Sequence, residues 1–288
     1  MTLLIFAAIA GIGVGLLSGL LGVGGGTIMV PLFRLVFGMS PVGATATSLF
    51  TIIPTSLSGV TKHLKNRTCL AKVGLLAGIG GALLSPIGVL AANASPGWMV
   101  MAAAALVIIY SSYTMFRKAM KAPKPEKGFL SKRPGPAPAA PDASTAPAAT
   151  PAPATPATDV IPTVTLLIAL KAAGIGVLAG FMSGYVGVGG GFLMVPMFVS
   201  LLGIPMRLAS GTSLIAVCIL AIPGALTQCV LGNVDFLVGI AMAVGTIPGA
   251  RWGAGLVKKV PERTLRFIFA GFLLVMAVVL IGNELLLA

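Results

Sequence analysis

Apolar residues form long runs in this chain, interrupted only by short polar or glycine-rich segments. Most runs reach the roughly 20 residues that a helix needs to cross a bilayer core about 30 Å thick. The pattern predicts an all-α polytopic membrane protein with five helical segments in each half. The predicted segments are 3–22, 27–38, 43–61, 70–92, 97–119, 163–186, 191–202, 206–230, 236–256 and 263–286.

The second segment of each half holds only 12 residues, which is too short to cross a bilayer as a regular helix. Irregular backbone exposed to lipid is not tolerated. We therefore predict that each short segment is a half-helix, a re-entrant piece or part of a broken span packed inside the protein.

One glycine-rich stretch occurs twice. Residues 15–31 read GLLSGLLGVGGGTIMVP, residues 180–196 read GFMSGYVGVGGGFLMVP, and 11 of the 17 positions are identical at an offset of 165. The same offset aligns Thr47-Ser48-Leu49 with Thr212-Ser213-Leu214. We interpret the chain as a duplicated unit.

A Pro-, Ala- and Thr-rich segment at 120–160 separates the first transmembrane repeat, 1–119, from the second, 161–288. This segment has nothing to bury, so we predict an extended, disordered linker. Its first part is basic and is expected to lie in the cytoplasm.

The composition agrees with a membrane protein, since 57% of the residues are hydrophobic and 9% are charged. The net charge of +13 raises the question of nucleic-acid binding. However, 16 of the 19 Lys and Arg residues fall in three clusters between apolar segments, at 62–72, 117–133 and 251–266. Such clusters mark cytoplasmic loops. No nucleic-acid module accompanies them, so we expect no nucleic-acid partner.

The basic loops alternate in opposite order in the two halves. The loop at 62–72 is basic and the loop at 92–97 is neutral, whereas the loop at 231–235 has no base and the loop at 257–266 is strongly basic. The positive-inside rule then predicts repeats that are inverted relative to each other, with both termini outside. Parallel repeats are the alternative. Inverted repeats with interrupted helices are typical of secondary transporters that bind substrate near the midplane.

The triple glycine of each stretch has the properties of an anion site. Glycine permits positive φ and leaves backbone amides uncovered. The short helix that follows directs its N-terminus, with its partial positive charge, towards the break. Close helix packing alone is the competing explanation, and no Gly-Lys-Ser/Thr follows as in a nucleotide-binding loop. The predicted substrate-binding glycines are Gly24, Gly25, Gly26, Gly189, Gly190 and Gly191.

Hydroxyl residues begin the third segment of each half. They can donate to a bound anion, and the alternatives are capping of the helix or bonding to its own carbonyls. The predicted substrate contacts of this kind are Thr47, Ser48, Thr212 and Ser213.

Weaker candidates lie around these positions. The loop that contains His63 is basic, so we expect this side chain to be exposed. Two arginines near the short helices either add positive potential or extend to the interface. The weaker candidates are Ser18, Ser183, His63, Gln228, Arg34 and Arg207.

No Asp or Glu lies in the middle of a predicted helix. Carboxylates there are typical of cation pathways and proton relays, so their absence favours an anionic substrate. The sequence has no cluster at metal-ligand spacing and no apparent Ser-His-Asp set. We expect no bound metal, no cofactor and no enzymatic activity.

The paired G-x-x-x-G-x-x-G-V-G-G-G-x-x-x-V-P motifs, each followed by Thr-Ser-Leu, resemble those of the sulfite exporter TauE/SafE family of membrane permeases. The segments at 232–235 and 248–254 and Pro261-Glu262-Arg263 before the last span fit the same family. The resemblance implies transport of sulfur-containing anions such as sulfite or organosulfonates, outward in many members.

We therefore predict a secondary transporter that exports small sulfur-containing anions by alternating access between two inverted repeats. An anion channel, or a carrier of other small organic anions on the same fold, is the alternative. An intramembrane enzyme and a scaffold without substrate are less favoured. We expect a multi-pass protein of a bacterial inner membrane whose partners are the small anion and the lipid bilayer. A homodimer is left open.

Overall fold

The structure, a computed structural model, describes residues 2–121 and 166–287. The predicted disordered linker lies outside the described residues, apart from its first two positions. Within the described ranges the chain forms ten α-helices and no β-strand. The helices are α1 (Thr2–Leu21), α2 (Gly26–Phe37), α3 (Pro41–Lys65), α4 (Ala71–Ala94), α5 (Gly97–Lys121), α6 (Leu166–Val186), α7 (Gly191–Leu201), α8 (Met206–Val230), α9 (Phe236–Leu256) and α10 (Glu262–Leu287).

The all-helical prediction is confirmed, and nearly every predicted boundary lies within two residues of the observed one. The clearest difference is at α3, which continues to Lys65 instead of ending at residue 61. Its last turn is basic, which suits the negative end of a helix dipole, and it contains a buried side chain, His63. The helix ends where Arg67 turns to a φ of 54°.

Six helices of the described residues are long and apolar enough to cross a membrane: α1, α4, α5, α6, α8 and α9. Large apolar side chains point outwards from them. Leu83 on α4 is 69% exposed and Leu106 on α5 is 70% exposed. Such faces are stable only against lipid or another apolar surface. The described helices are therefore those of a multi-pass membrane protein.

Two helix pairs interlock the halves of the chain, because α1 packs lengthwise on α9 and α4 on α6. Glycines line both contacts. A Cβ on Gly249 of α9 would overlap the carbonyl oxygen of Ile12, and a Cβ on Gly180 of α6 would overlap the carbonyl oxygen of Gly81. Small residues let helix backbones approach this closely in membranes.

Helices α3 and α8 occupy the centre of the structure. They pack on each other, and α9 and α4 flank them on the two outer sides. The short helices α2 and α7 lie against α3 and α8 respectively. The glycine breaks that precede the short helices are thereby enclosed by protein, as predicted for irregular backbone at membrane depth.

The two ends of the helix bundle differ in charge. At one end the loop 231–235 approaches the first half, where Asn233 Nδ2 donates to Asn93 Oδ1 at 2.9 Å. At the other end the N–H of Leu70 donates to Thr212 Oγ1 at 2.9 Å, and Asn66 Nδ2 donates to the carbonyl of Ala254 at 3.5 Å. Loops 66–70 and 257–261 lie at this second end. Basic residues are concentrated there, so we name it the basic end and the other the neutral end.

Candidate substrate-binding site

Each glycine stretch breaks the chain between a long helix and a short one. In the first break, which separates α1 from α2, Gly24 and Gly25 have φ values of 85° and 87°. In the second, between α6 and α7, Gly189 and Gly190 have φ values of 86° and 67°. Residues that carry a side chain rarely adopt these backbone conformations. Glycine is therefore the residue found here in both copies.

The third glycine of each stretch has a different role, which is close approach. Gly26 begins α2, and a Cβ there would lie 2.6 Å from the carbonyl carbon of Val188 in the other break. A Cβ on Gly191, which begins α7, would overlap the carbonyl oxygen of Gly22. The two breaks therefore touch, backbone against backbone. In this conformation the contact leaves no room for an anion between Gly26 and Val188.

Apolar side chains cover the two breaks from the central helices. A Cβ on Gly24 would lie 2.8 Å from Val217 Cγ1, and a Cβ on Gly189 would lie 2.8 Å from Ile52 Cδ1. The offset of 165 aligns Ile52 with Val217, so each copy contributes the same position. Sequence reasoning missed this pair. The available signal was their place one turn beyond the hydroxyl residues on the same helix face.

Ser18 and Ser183 lie beside the breaks. The Ser18 Cβ would be 3.6 Å from a Cβ on Gly25, and the Ser183 Cβ would be 3.4 Å from a Cβ on Gly190. Both serines are buried, and neither Oγ has a hydrogen-bond partner among the described residues. A buried hydroxyl without a partner is costly, so the two are candidates to bind a polar guest.

The aligned serines of the central helices differ from each other. Ser213 Oγ donates to the carbonyl of Gly22 at 2.7 Å and also contacts the carbonyl of Ser210 at 2.8 Å. It therefore holds the first break in place. Ser48 is fully buried on α3, and its Oγ has no partner within the described part of the chain.

Thr47 and Thr212 use their hydroxyls to hold neighbouring loops. Thr47 Oγ1 accepts the N–H of Asp235 at 3.0 Å. Thr212 Oγ1 accepts the N–H of Leu70 at 2.9 Å and donates to the carbonyl of Leu208 at 2.6 Å. Asp235 and Leu70 directly precede α9 and α4, so each threonine stabilises the start of a helix. Contact with substrate by these two residues remains a prediction.

The expectation that His63 is exposed is wrong, because its side chain is completely buried. Nδ1 lies 2.8 Å from Thr68 Oγ1, and Nε2 lies 2.9 Å from the carbonyl of Gly19. The ring thus fastens the end of α3 to α1. The aligned Gln228 is also buried, and its Oε1 accepts Asn233 Nδ2 at 2.8 Å. A role in substrate contact stays a prediction for both.

The two arginine candidates lie away from the breaks. Arg34 is buried in the last turn of α2, eight residues beyond Gly26, which is about 12 Å along a helix. Arg207 is in the first turn of α8, where Nε and one Nη donate to the carbonyl of Val260 at 3.2 and 2.8 Å. It ties α8 to the loop before α10 at the basic end.

The electrostatics of the breaks come from backbone and hydroxyl groups. No side chain caps the N-terminus of α2 or α7, and helix N-termini carry unpaired N–H groups and partial positive charge. The carboxylates of Asp235 and Glu262 lie at helix starts away from the breaks. Among the residues that the structure describes, no group of His, Cys, Asp and Glu is arranged to hold a metal ion.

Paired helix breaks enclosed in an all-helical bundle, with six membrane-length helices in the described part of the chain, are typical of multi-pass membrane transporters. The family model described as "Sulfite exporter TauE/SafE" matches residues 7–280. The chain belongs to this family, as the repeated motifs predicted.

Curated relatives carry transporter names. The chain is 26% identical over 291 residues to the probable membrane transporter protein YunE of Bacillus subtilis (strain 168), covering 98% of this chain and 97% of the relative. It is 24% identical to YdhB of the same organism, also named a probable membrane transporter protein, over 88% of this chain and 89% of that protein. No solved structure is significantly similar to the chain.

Proposed function

We propose that this protein is a secondary transporter that exports small sulfur-containing anions such as sulfite or organosulfonates. The observation that carries the proposal is the contact between two helix N-termini that no side chain caps, beside buried hydroxyls that have no partner among the described residues. Membership of the family supports the class of protein. The helix termini support the negative charge of the substrate.

The anion is held by neutral donors in this proposal. The N-termini of α2 and α7 supply backbone N–H groups, and Ser18, Ser183 and Ser48 supply hydroxyls. The tetrahedral or pyramidal oxygens of a sulfur oxyanion can accept several such bonds at once. Neutral donors also bind less tightly than a buried Arg or Lys, which suits a site that must release its substrate.

The two repeats move against each other for alternating access, and they are inverted in this proposal. Contacts at the two ends support the inversion. Helix α3 begins at the neutral end, where Thr47 meets Asp235, and α8 begins at the basic end, where Thr212 meets Leu70. The breaks touch in the described conformation, so substrate enters only after they separate. That conformation is then a closed one.

The direction of transport follows from the membrane potential. The positive-inside rule assigns the basic end to the cytoplasm. An inside-negative potential favours the exit of one negative charge by about 2.3 kcal/mol per 100 mV. A bacterial inner membrane supplies this potential, so export requires no coupling ion. The process changes no covalent bond, and we assign no catalytic residue.

Efflux from proteoliposomes tests the proposal. The purified full chain is reconstituted with sulfite or sulfoacetate inside, and efflux is measured against an imposed potential. Each serine donates to a charged acceptor, a bond worth about 1.5–3 kcal/mol. The double variant Ser18→Ala/Ser183→Ala removes two such bonds and is therefore expected to raise the KM about a hundredfold or more.

The matched control is Ser112→Ala. Ser112 is a buried serine that donates to the carbonyl of Ala270 at 2.8 Å, in the contact between α5 and α10. This variant should leave the KM unchanged. An unaltered KM in the double variant would contradict the site, and efflux no faster than from protein-free vesicles would contradict the substrate. Large single-channel currents without saturation would favour the anion channel instead.

A further inference from the structure

A groove at the basic end lies on the outer surface between α5 and α7, separate from the glycine breaks. Its outer part is a cavity of about 380 Å³ lined by Tyr110, Tyr113, Arg117 and Lys118 of α5 and the end of α7. A second cavity of about 200 Å³ adjoins it and reaches α6. Both cavities are lined by Tyr110, Thr114, Ser200 and Leu201, so they form one continuous groove.

The groove changes from cationic to apolar along its length. The outer cavity contains two cations, and the guanidinium of Arg117 lies over the ring of Tyr113 at 5.7 Å. The inner cavity is lined mainly by apolar side chains, among them Leu178, Leu193 and Met197. A ligand that fills both parts has an anionic head and an apolar tail.

Among the described residues, none neutralises the positive charge of the groove. The structure describes no carboxylate within ion-pair distance of Arg117 or Lys118. The carboxylate of Glu262 at the same end is already bound by Arg266 and accepts the N–H of Met206 at 3.1 Å. The nearby cations therefore attract an external anion.

A buried hydroxyl gives a second, independent sign of a ligand. Ser111 lines the inner cavity and is completely buried, and its Oγ has no hydrogen-bond partner within the described ranges. It lies seven residues before Lys118 on the same helix, which is about 10 Å along the axis. A polar group of the ligand is thus expected between the anionic head and the apolar tail.

We propose that this groove binds one anionic phospholipid of the surrounding membrane. The phosphate lies between Arg117 and Lys118, an acyl chain follows Leu178 and Met197, and the Ser111 hydroxyl donates to an ester carbonyl. Basic pockets between membrane helices bind lipid head groups in this way, and the exposed tyrosines suit the interface between water and lipid. The proposal is independent of the identity of the transported anion.

Native mass spectrometry of the full chain in detergent tests the proposal, with phosphatidylglycerol as the anionic lipid and phosphatidylcholine as the zwitterionic one. We expect a specific adduct with phosphatidylglycerol alone. Each interfacial cation contributes on the order of a fivefold change in affinity. The double variant Arg117→Gln/Lys118→Gln should therefore weaken the adduct about twentyfold.

The control is Lys258→Gln/Lys259→Gln, which removes the same charge from exposed lysines of the basic end outside the groove. It should leave the adduct intact. Met197→Trp fills the apolar part of the groove and leaves both cations in place. It should still weaken lipid binding, because the acyl chain loses its site.

Four outcomes would overturn the proposal. Equal binding of phosphatidylcholine would mean an apolar groove without head-group recognition. Displacement of the lipid by glycerol 3-phosphate at similar concentration would mean a site for free phosphate. A smaller fraction of dimer in the groove variants, with lipid binding unaltered, would mean that the groove contacts a second copy of the chain. An undiminished adduct in Arg117→Gln/Lys118→Gln would remove the head-group contact altogether.

Discussion

At the scale of single residues, the hydroxyls near the breaks fall into two groups, those that bond to neighbouring loops and those without a partner in the described part of the chain. Thr47 and Thr212 each accept a backbone N–H from a loop more than 100 residues away. Ser18 and Ser183 have no such partner among the described residues. The first pair is expected to matter for stability and the second for transport.

Replacement of the threonines by valine tests this division. Thr47→Val and Thr212→Val keep the shape of the side chain but remove the acceptor, which leaves the N–H of Asp235 or Leu70 without its partner. Each variant is expected to lower the free energy of unfolding by about 1–3 kcal/mol. The readout is the Tm of the detergent-solubilised protein.

The control for this experiment is Thr61→Val. Thr61 Oγ1 donates only to the carbonyl of Ser58 within α3, in an exposed position, so its Tm should change little. If the Thr47 and Thr212 variants keep the wild-type Tm but lose anion flux, the two threonines bind substrate and do not act as structural residues.

At the scale of helices, glycine determines how closely α4 and α6 approach. Gly180 faces α4, where an added Cβ would overlap the backbone of Gly81, whereas Gly174 on the same helix has no atom within 4 Å of an added Cβ. The same substitution at the two positions therefore separates the effect of helix contact from that of helix propensity.

Gly180→Ala should destabilise the protein by about 1–3 kcal/mol, because α4 and α6 must move apart. Gly174→Ala should be neutral or should stabilise it by up to about 1 kcal/mol, since alanine is the better helix former. Thermal unfolding of the two variants measures the difference. Equal Tm values would show that the close contact between α4 and α6 does not contribute to stability.

At the scale of the whole molecule, the distribution of charge separates the two ends of the bundle. The described basic clusters meet at the basic end, although they come from both halves of the chain. An example is the hydrogen bond of Asn66 in the first half with the carbonyl of Ala254 in the second. The inverted arrangement proposed above places this end in the cytoplasm.

Cysteine labelling in cells tests the topology. The native cysteines Cys69, Cys218 and Cys229 are first replaced by serine, so that only the introduced cysteine can react. Burial raises the pKa of the Cys69 thiol and so lowers its reactivity, but the replacement removes any background from it. We expect a membrane-impermeant maleimide to label Ala94→Cys in intact cells, and to label Lys259→Cys only after permeabilisation. Labelling of both sites, or of Lys259→Cys alone, in intact cells would contradict the proposed orientation.

The sequence predicted the fold better than it predicted the details of the site. The helices and the positions of the glycine breaks follow from local properties, namely apolar run length and the positive φ of Gly24 and Gly189. The burial of His63 did not follow, because it depends on Gly19, 44 residues away on another helix. Ile52 and Val217 were missed although they lie one turn beyond Ser48 and Ser213, because only packing shows which apolar side chains of an apolar helix cover the breaks.

By itself the sequence determined the membrane class, the repeated glycine motif, the ten helices of the described residues and the two points where a long helix gives way to a short one. Those features arise from hydrophobicity, periodicity and backbone freedom, which are properties of neighbouring residues. Only the tertiary structure decided that the two breaks touch and that Thr47 and Thr212 bond to loops. It also decided that Ser18 and Ser183 are buried without a hydrogen-bond partner among the residues that the structure describes. Hydrogen-bond partners of buried groups come from distant parts of the chain, and only packing brings those parts together.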